Sequence, residues 1–211
     1  MSEEDANAGA DHTVAIGKSI RALRGQTKVS LREIARRAGV TPSLLSQIET
    51  GRVNPSVGTL FRLAETLEVP VARFFAPADE IAASANAHAA VSQPRTDRML
   101  VRADDRPTLP LGGGITWTSL TGVEQPGVRF VEVAYPPGAR SANVMLRHGG
   151  RDFLVVIEGQ IVVQLEFTDH VLDAGDTLWF EASVPHQIRN ESDAPTRIIA
   201  VTVDPWPAVS G

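Results

Sequence analysis

Apolar positions recur at helical spacing in the first third of the chain and at strand spacing in its second half. Over Val14–Arg24, Ile16, Ile20 and Leu23 share one stripe of a helix. Leu31, Ile34, Ala35 and Ala38 repeat the spacing, Leu45 and Ile48 continue it, and Leu60, Leu63, Ala64 and Leu67 form a further stripe. Val71–Phe75 adds a short fifth segment, with Phe74 and Phe75 to close a bundle. From Arg98 the period changes. Val128–Tyr135 alternates in part, Phe153–Ile157 is continuously apolar, Ile161–Phe167 alternates, and Leu178–Phe180, Gln187–Arg189 and Arg197–Val203 follow. Pro136-Pro137-Gly138, Glu158-Gly159 and Ala174-Gly175-Asp176 punctuate these runs as turns. Many short strands at regular spacing predict a sandwich or barrel.

The pattern therefore predicts a two-domain α+β chain: a five-helix bundle over residues 13–76, then an all-β domain over 98–208. Residues 1–12 are polar and acidic and read as a disordered tail. Residues 77–97 are rich in Ala, Ser and Asn and read as a linker with an Ala-rich middle capable of helix.

The second and third helices carry their own punctuation. Ser30 stands at an N-cap with Glu33 three residues on, a capping box. Gly39 permits the left-handed residue that ends the second helix. Thr41 caps the third helix and Pro42 suits its first position, where a missing N–H costs nothing. With Leu45 and Ile48 pointing inward, Ser43, Ser46 and Gln47 are left outside. Short polar side chains on an exposed helix are what major-groove readout uses.

Charge changes the picture in one respect. The chain is net −5, yet Thr13–Ala76 holds ten basic residues against four acids. A basic module in an acidic protein suits a phosphate backbone, whose condensed counterions Lys and Arg release. The absence of Cys excludes disulfides, thiolate metal sites and a Cys nucleophile. No apolar run is long enough to span a bilayer and no secretion leader is present, so a cytoplasmic location is expected.

The run AGVTPSLLSQIETG resembles the helix-turn-helix of phage-repressor-like (Xre-type) regulators, and the resemblance extends over about Val14–Phe75. It implies that the third helix enters the major groove of a double-stranded DNA operator. Pro42, Ser43, Ser46 and Gln47 then fall at base-facing positions, and Gln47 is the best reader, because its amide can bond an adenine edge twice. Thr41, Asn54, Ser56 and Thr59 fall at backbone-contact positions, and Arg24 and Glu49 where the family has a structural ion pair. Pro42 departs from the pattern because it offers no donor, and Leu31 stands where many relatives have a polar phosphate contact.

In the β-domain, HGGRDFLVVIEGQIVV and LDAGDTLWFEASVPHQIRN resemble the two motifs of a cupin, a small jelly-roll barrel. The resemblance places Leu146, His148, Asp152 and His186 around an effector pocket. Metal-binding cupins place His at the first of these positions and Glu at the third. Here Leu146 and Asp152 stand there instead. What remains, His148, Asp152 and His186, is a facial set able to hold one divalent metal (Fe, Zn, Ni or Mn) with open positions. The alternative is a metal-free pocket. Arg140, Arg147 and Arg151 suit an anionic effector if they point inward and are plain surface if they point outward. His170 is expected to be exposed at a strand turn.

The two resemblances together imply a sequence-specific transcriptional regulator rather than an enzyme. Its barrel senses a small-molecule effector and alters operator binding, and the barrel sheet joins a homodimer. The alternative is a mononuclear non-haem iron enzyme resembling the hydroxypropylphosphonate epoxidase, which has the same two-domain plan and a similar His, carboxylate and His arrangement.

Overall fold

The computed structural model describes residues 3–27, 29–76, 78–84, 99–121, 125 and 127–203. The chain divides into two compact units, Met1–Gly112 and Gly113–Gly211. The boundary falls later than the expected junction at 97/98, and residues 99–112 belong to the helical unit.

The first unit opens with helix α1 (Glu3–Thr27), which starts well upstream of the expected Val14. Residues 3–12 are thus helical rather than a disordered tail. Their Ala and Glu residues favour helix, and acids near the N-terminus suit the helix dipole. Ile16, Ile20 and Leu23 are buried on its inner face. Helix α2 (Leu31–Arg37) is capped by Ser30, whose Oγ accepts the Glu33 N–H at 3.3 Å. The expected reciprocal half of the box is replaced, since the Glu33 carboxylate takes Arg36 and Arg37, each at 2.7 Å. Gly39 turns the chain at φ +63.

Helix α3 (Pro42–Glu49) begins at its Thr41 cap, and helix α4 (Val57–Leu67) at its Ser56 cap. Each such cap contributes about 1 kcal/mol. Val71–Phe75 is a 3₁₀ turn rather than a fifth α-helix; Phe74 is buried in it and Phe75 only half-buried. The fifth α-helix is α5 (Ala78–Ser84), inside the expected linker. Its Ile81 is fully buried, and Gln26 Nε2 donates to the Ile81 carbonyl at 2.5 Å. Residues 85–97 of the expected linker lie outside the described residues. A short strand, β1 (Thr108–Pro110), follows.

The second unit is all-β. Strands β2 (Thr116–Ser119), β3 (Val128–Tyr135), β4 (Arg151–Glu158), β7 (Thr177–Glu181) and β9 (Thr196–Val203) form an antiparallel sheet in the order β2-β3-β9-β4-β7. Strands β5 (Gln160–Leu165), β6 (Thr168–Asp173) and β8 (His186–Arg189) form a second sheet in the order β6-β5-β8. Strands β2 and β6 are absent from the expected pattern, and His170 is half-buried within β6 rather than at a turn. Alternation assigns the faces of the larger sheet. Val131, Val133 and Tyr135 of β3, Leu154 and Val156 of β4, Phe180 of β7 and Ile198 and Thr202 of β9 are buried. Phe130, Phe153 and Trp179, on the opposite face, are exposed.

Candidate nucleic-acid interface and barrel site

Helix α3 divides cleanly by residue type. Leu45 and Ile48 are fully buried, while Pro42, Ser43, Ser46 and Gln47 are exposed together. Its start is set by Thr41, whose Oγ1 accepts the Leu44 N–H at 3.1 Å. Its end is tied to α1 by an ion pair: Arg24 Nε and Nη2 donate to the two Glu49 carboxylate oxygens at 2.6 and 2.9 Å. The Glu49 hydrogen bond raises the Arg24 pKa. A two-point contact of this kind fixes rotation as well as distance. Gly17 of α1 allows the close approach, because a Cβ there would fall on the Ile48 carbonyl oxygen.

Of the expected backbone-contact residues, Thr41 is exposed and Asn54 and Ser56 are half-buried. The Asn54 Oδ1 is buried with no hydrogen-bond partner among the described residues. Thr59 lies deeper than the other three. It is 5% exposed, its N–H goes to Ser56 Oγ, and its hydroxyl lies 3.0 Å from that same oxygen, so it braces the cap from inside.

In the barrel, four expected residues come together. Leu146 and His186 form an antiparallel bridge, with backbone bonds of 2.7 and 2.9 Å. His148, Asp152 and His186 each offer a ligand atom, all within 4.8 Å of one another. Asp152 sits on the inward side of β4, and His186 opens β8. The His186 Nδ1 lies 2.9 Å from the Val184 carbonyl, which assigns the proton there and leaves Nε2 as a lone-pair donor. Burial lowers the His186 pKa, so the ring is neutral as a metal ligand requires. The two imidazole rings meet edge to face at 5.1 Å, and Phe180 stands 5.0 Å from His186.

His148 completes the donor set. Its Nδ1 is 3.0 Å from the Gly149 carbonyl and its Nε2 is 3.3 Å from Asp152 Oδ2. Two imidazoles and one carboxylate with ligand atoms this close form a donor set that fits a divalent ion. Leu146 supplies no ligand, which leaves positions for water or an effector. Burial would raise the Asp152 pKa, but His148, Arg129 and Thr202 hold it below the usual carboxylate range.

The three arginines flagged in the sequence all point outward. Arg140 and Arg147 are exposed, and Arg151 pairs with Glu181 at 2.8 and 2.5 Å while lying 5.2 Å over the Trp179 ring. The inward arginine is Arg129, which the motif reading missed. Its side chain is 15% exposed and its Nη2 is 3.8 Å from Asp152 Oδ1. That nitrogen also donates to Thr202 Oγ1, which in turn donates to Asp152 Oδ1 at 2.5 Å. The guanidinium lies 5.4 Å over the Trp117 ring. The signal was present in the alternation: position 129 shares its face with Val131, Val133 and Tyr135.

Comparison with known proteins follows the same division. A family model described as helix-turn-helix matches residues 20–74, and one described as cupin domain matches residues 131–202. The chain is 25% identical over 190 residues to the HTH-type transcriptional regulator PuuR of Escherichia coli (strain K12), covering 90% of this chain and 95% of that protein. It is 35% identical over 65 residues to the uncharacterized HTH-type transcriptional regulator y4dJ of Sinorhizobium fredii (strain NBRC 101917 / NGR234), covering 31% of this chain and 84% of that protein. A crystal structure of an HTH_3 family transcriptional regulator from Vibrio cholerae has the same fold, with a TM-score of 0.62 at 21% identity over 94% of this chain and 99% of that one.

Proposed function

The chain belongs to the HTH-type transcriptional regulators, with a helix-turn-helix domain followed by a cupin domain, and from that premise we propose that it works as a homodimer whose α3 helices read a two-part operator under control of an effector in the barrel. The observation that carries the reading is the outer face of α3, where Pro42, Ser43, Ser46 and Gln47 are exposed opposite the buried Leu45 and Ile48. Gln47 reads an adenine edge, Ser43 and Ser46 add hydrogen bonds, and Thr41, Asn54 and Ser56 hold phosphates. The exposed Arg32 and Arg52 add the sequence-independent attraction. No described helix is long and apolar enough to cross a membrane.

One module covers roughly 600–1,000 Å² of DNA, too little for useful affinity alone, so two half-sites are read together. The exposed row of Phe130, Phe153 and Trp179 on the larger sheet supports a dimer joined through the barrel. In the barrel, His148, Asp152 and His186 would hold one divalent ion, Fe, Zn, Ni or Mn. The ion would supply a Lewis-acid anchor for the effector. Effector binding controls DNA only if it favours one arrangement of the dimer over another.

The test is operator binding by gel shift, using a site selected by the wild-type chain from random DNA. The S43A/Q47A double variant loses at least about tenfold in specific affinity, the value of one good base contact, and keeps its non-specific binding. Full affinity and selectivity in that variant would refute this docking of α3.

A further inference from the structure

The barrel brings one carboxylate and one guanidinium together at its candidate metal position. Asp152 is the one carboxylate in the candidate ligand set, and the Arg129 guanidinium already stands 3.8 Å from its Oδ1. Arg129 is held in place from two sides, by Thr202 and by the Trp117 ring. A divalent ion on His148, Asp152 and His186 would meet a single carboxylate ligand, in a buried setting with Phe180 5.0 Å from His186. Uncompensated charge in such surroundings is costly. The ion has open positions, and a fixed guanidinium beside it is a matched receptor for an oxyanion.

We infer that the effector is a small anion, a carboxylate or other oxyanion, held between Arg129 and the metal, and that anion and metal each tighten the binding of the other. The inference rests on the metal-bearing sensor reading above and names its ligand class. By linkage the enhancement is reciprocal, and ordinary couplings of this kind span about 5–150-fold. Arg129 is the determinant of that class, because among the described residues it is the cation adjoining the ligand set, and it is absent from the metal motif itself.

The test titrates Co(II) into the full chain and follows its visible absorption, alone and with malonate, inorganic phosphate or the neutral isostere malonamide. In the wild-type chain malonate or phosphate lowers the Co(II) Kd at least about fivefold, and malonamide leaves it unchanged. Malonate and phosphate also bind Co(II) in solution, but that weakens apparent binding and cannot imitate the expected sign. R129Q binds Co(II) alone as well as or better than wild type and loses the enhancement, while R129K restores it. A merely structural Arg129 predicts the reverse: a less stable R129Q that keeps the enhancement. Equal Co(II) affinity with and without anion in the wild type, or enhancement surviving in R129Q, overturns the inference. If Co(II) alone binds wild type and H148A/H186A alike, the metal reading itself falls and this inference with it. A saturable Co(II) site without anion enhancement removes the inference alone.

Discussion

Alanine at Gly17 reverses the usual sign of a helical glycine substitution. In an open helix, Gly→Ala stabilises by up to about 1 kcal/mol, because glycine gives up more backbone freedom on folding. Gly25, exposed near the end of the same helix, has nothing within 4 Å of a built Cβ, and G25A gains about 0.5 kcal/mol. At Gly17 the added carbon meets backbone: it overlaps the Ile48 carbonyl oxygen and lies 3.1 Å from the carbonyl carbon and oxygen of Glu49. No rotamer change relieves a backbone clash, so α3 must move away from α1. Overpacking of this kind costs about 1–3 kcal/mol. Against the propensity gain, the net loss for G17A is about 1–2 kcal/mol, which lowers the melting temperature of the helical unit by roughly 5–10 °C.

The assay is thermal melting of the full chain by circular dichroism at 222 nm, with hydrogen exchange of α3 amides to assign the transition to the helical unit. Displacement of α3 also misplaces Ser43 and Gln47, so operator affinity at a temperature where G17A remains folded falls with the same variant and not with G25A. A G17A protein that melts at or above the wild-type temperature would show that α1 and α3 have slack, and the orientation argument for the reading helix would lose its support.

Three further outcomes follow from the same contacts. E49Q leaves the Arg24 guanidinium, 19% exposed, beside an uncharged amide, and costs about 2–3 kcal/mol, somewhat less than a fully buried broken pair. A melting shift below about 3 °C would mean that solvent already screens this pair. F153K, placing a charge in the exposed row of the larger sheet, converts the dimer to monomer by light scattering and weakens operator binding; a dimeric F153K moves the interface elsewhere. Hydrogen bonds from Arg36 and Arg37 depress the Glu33 pKa to about 2. A folded pKa below the unfolded one means the contribution is present above about pH 4.5 and is lost as pH falls toward 2. Exchange protection of α2 therefore declines across that window in wild type and stays flat in E33Q.

Helix starts and inner faces are legible in the sequence because they depend on neighbours three or four residues away. Ser30, Thr41 and Ser56 cap the helices they precede, and Leu45 and Ile48 are buried as their spacing implies. Features that depend on distant partners are not legible. Ala78–Ser84 has one large apolar residue, Ile81, too few to show a period; its burial depends on packing against α1. The helical residues 3–12 read as a tail because their polar composition hides a helix that propensity and dipole favour. Strand β6 escapes notice because TDHVLD sits at the edge of its sheet and leaves only Leu172 fully buried. Gly17 gives no local sign that a second backbone lies against it.

The barrel site divides along the same line, and its arginines show why. His148, Asp152 and His186 can be found because a motif carries them at characteristic spacing, and proximity in sequence then draws attention to Arg140, Arg147 and Arg151. Sequence proximity is the wrong measure in a sheet, where adjacent residues face opposite sides. Arg151 adjoins Asp152 and so points away from it, toward Glu181 and Trp179. Arg129 is remote in sequence, but the pairing of β3 with β9 sets Arg129 opposite Thr202, and the pairing of β9 with β4 sets Thr202 opposite Asp152. Three inward positions on three neighbouring strands thus form one polar row, Arg129 to Thr202 to Asp152. The register that builds the sheet thus sets a guanidinium beside the candidate ligand set, at a place that no sequence neighbour of the motif reaches.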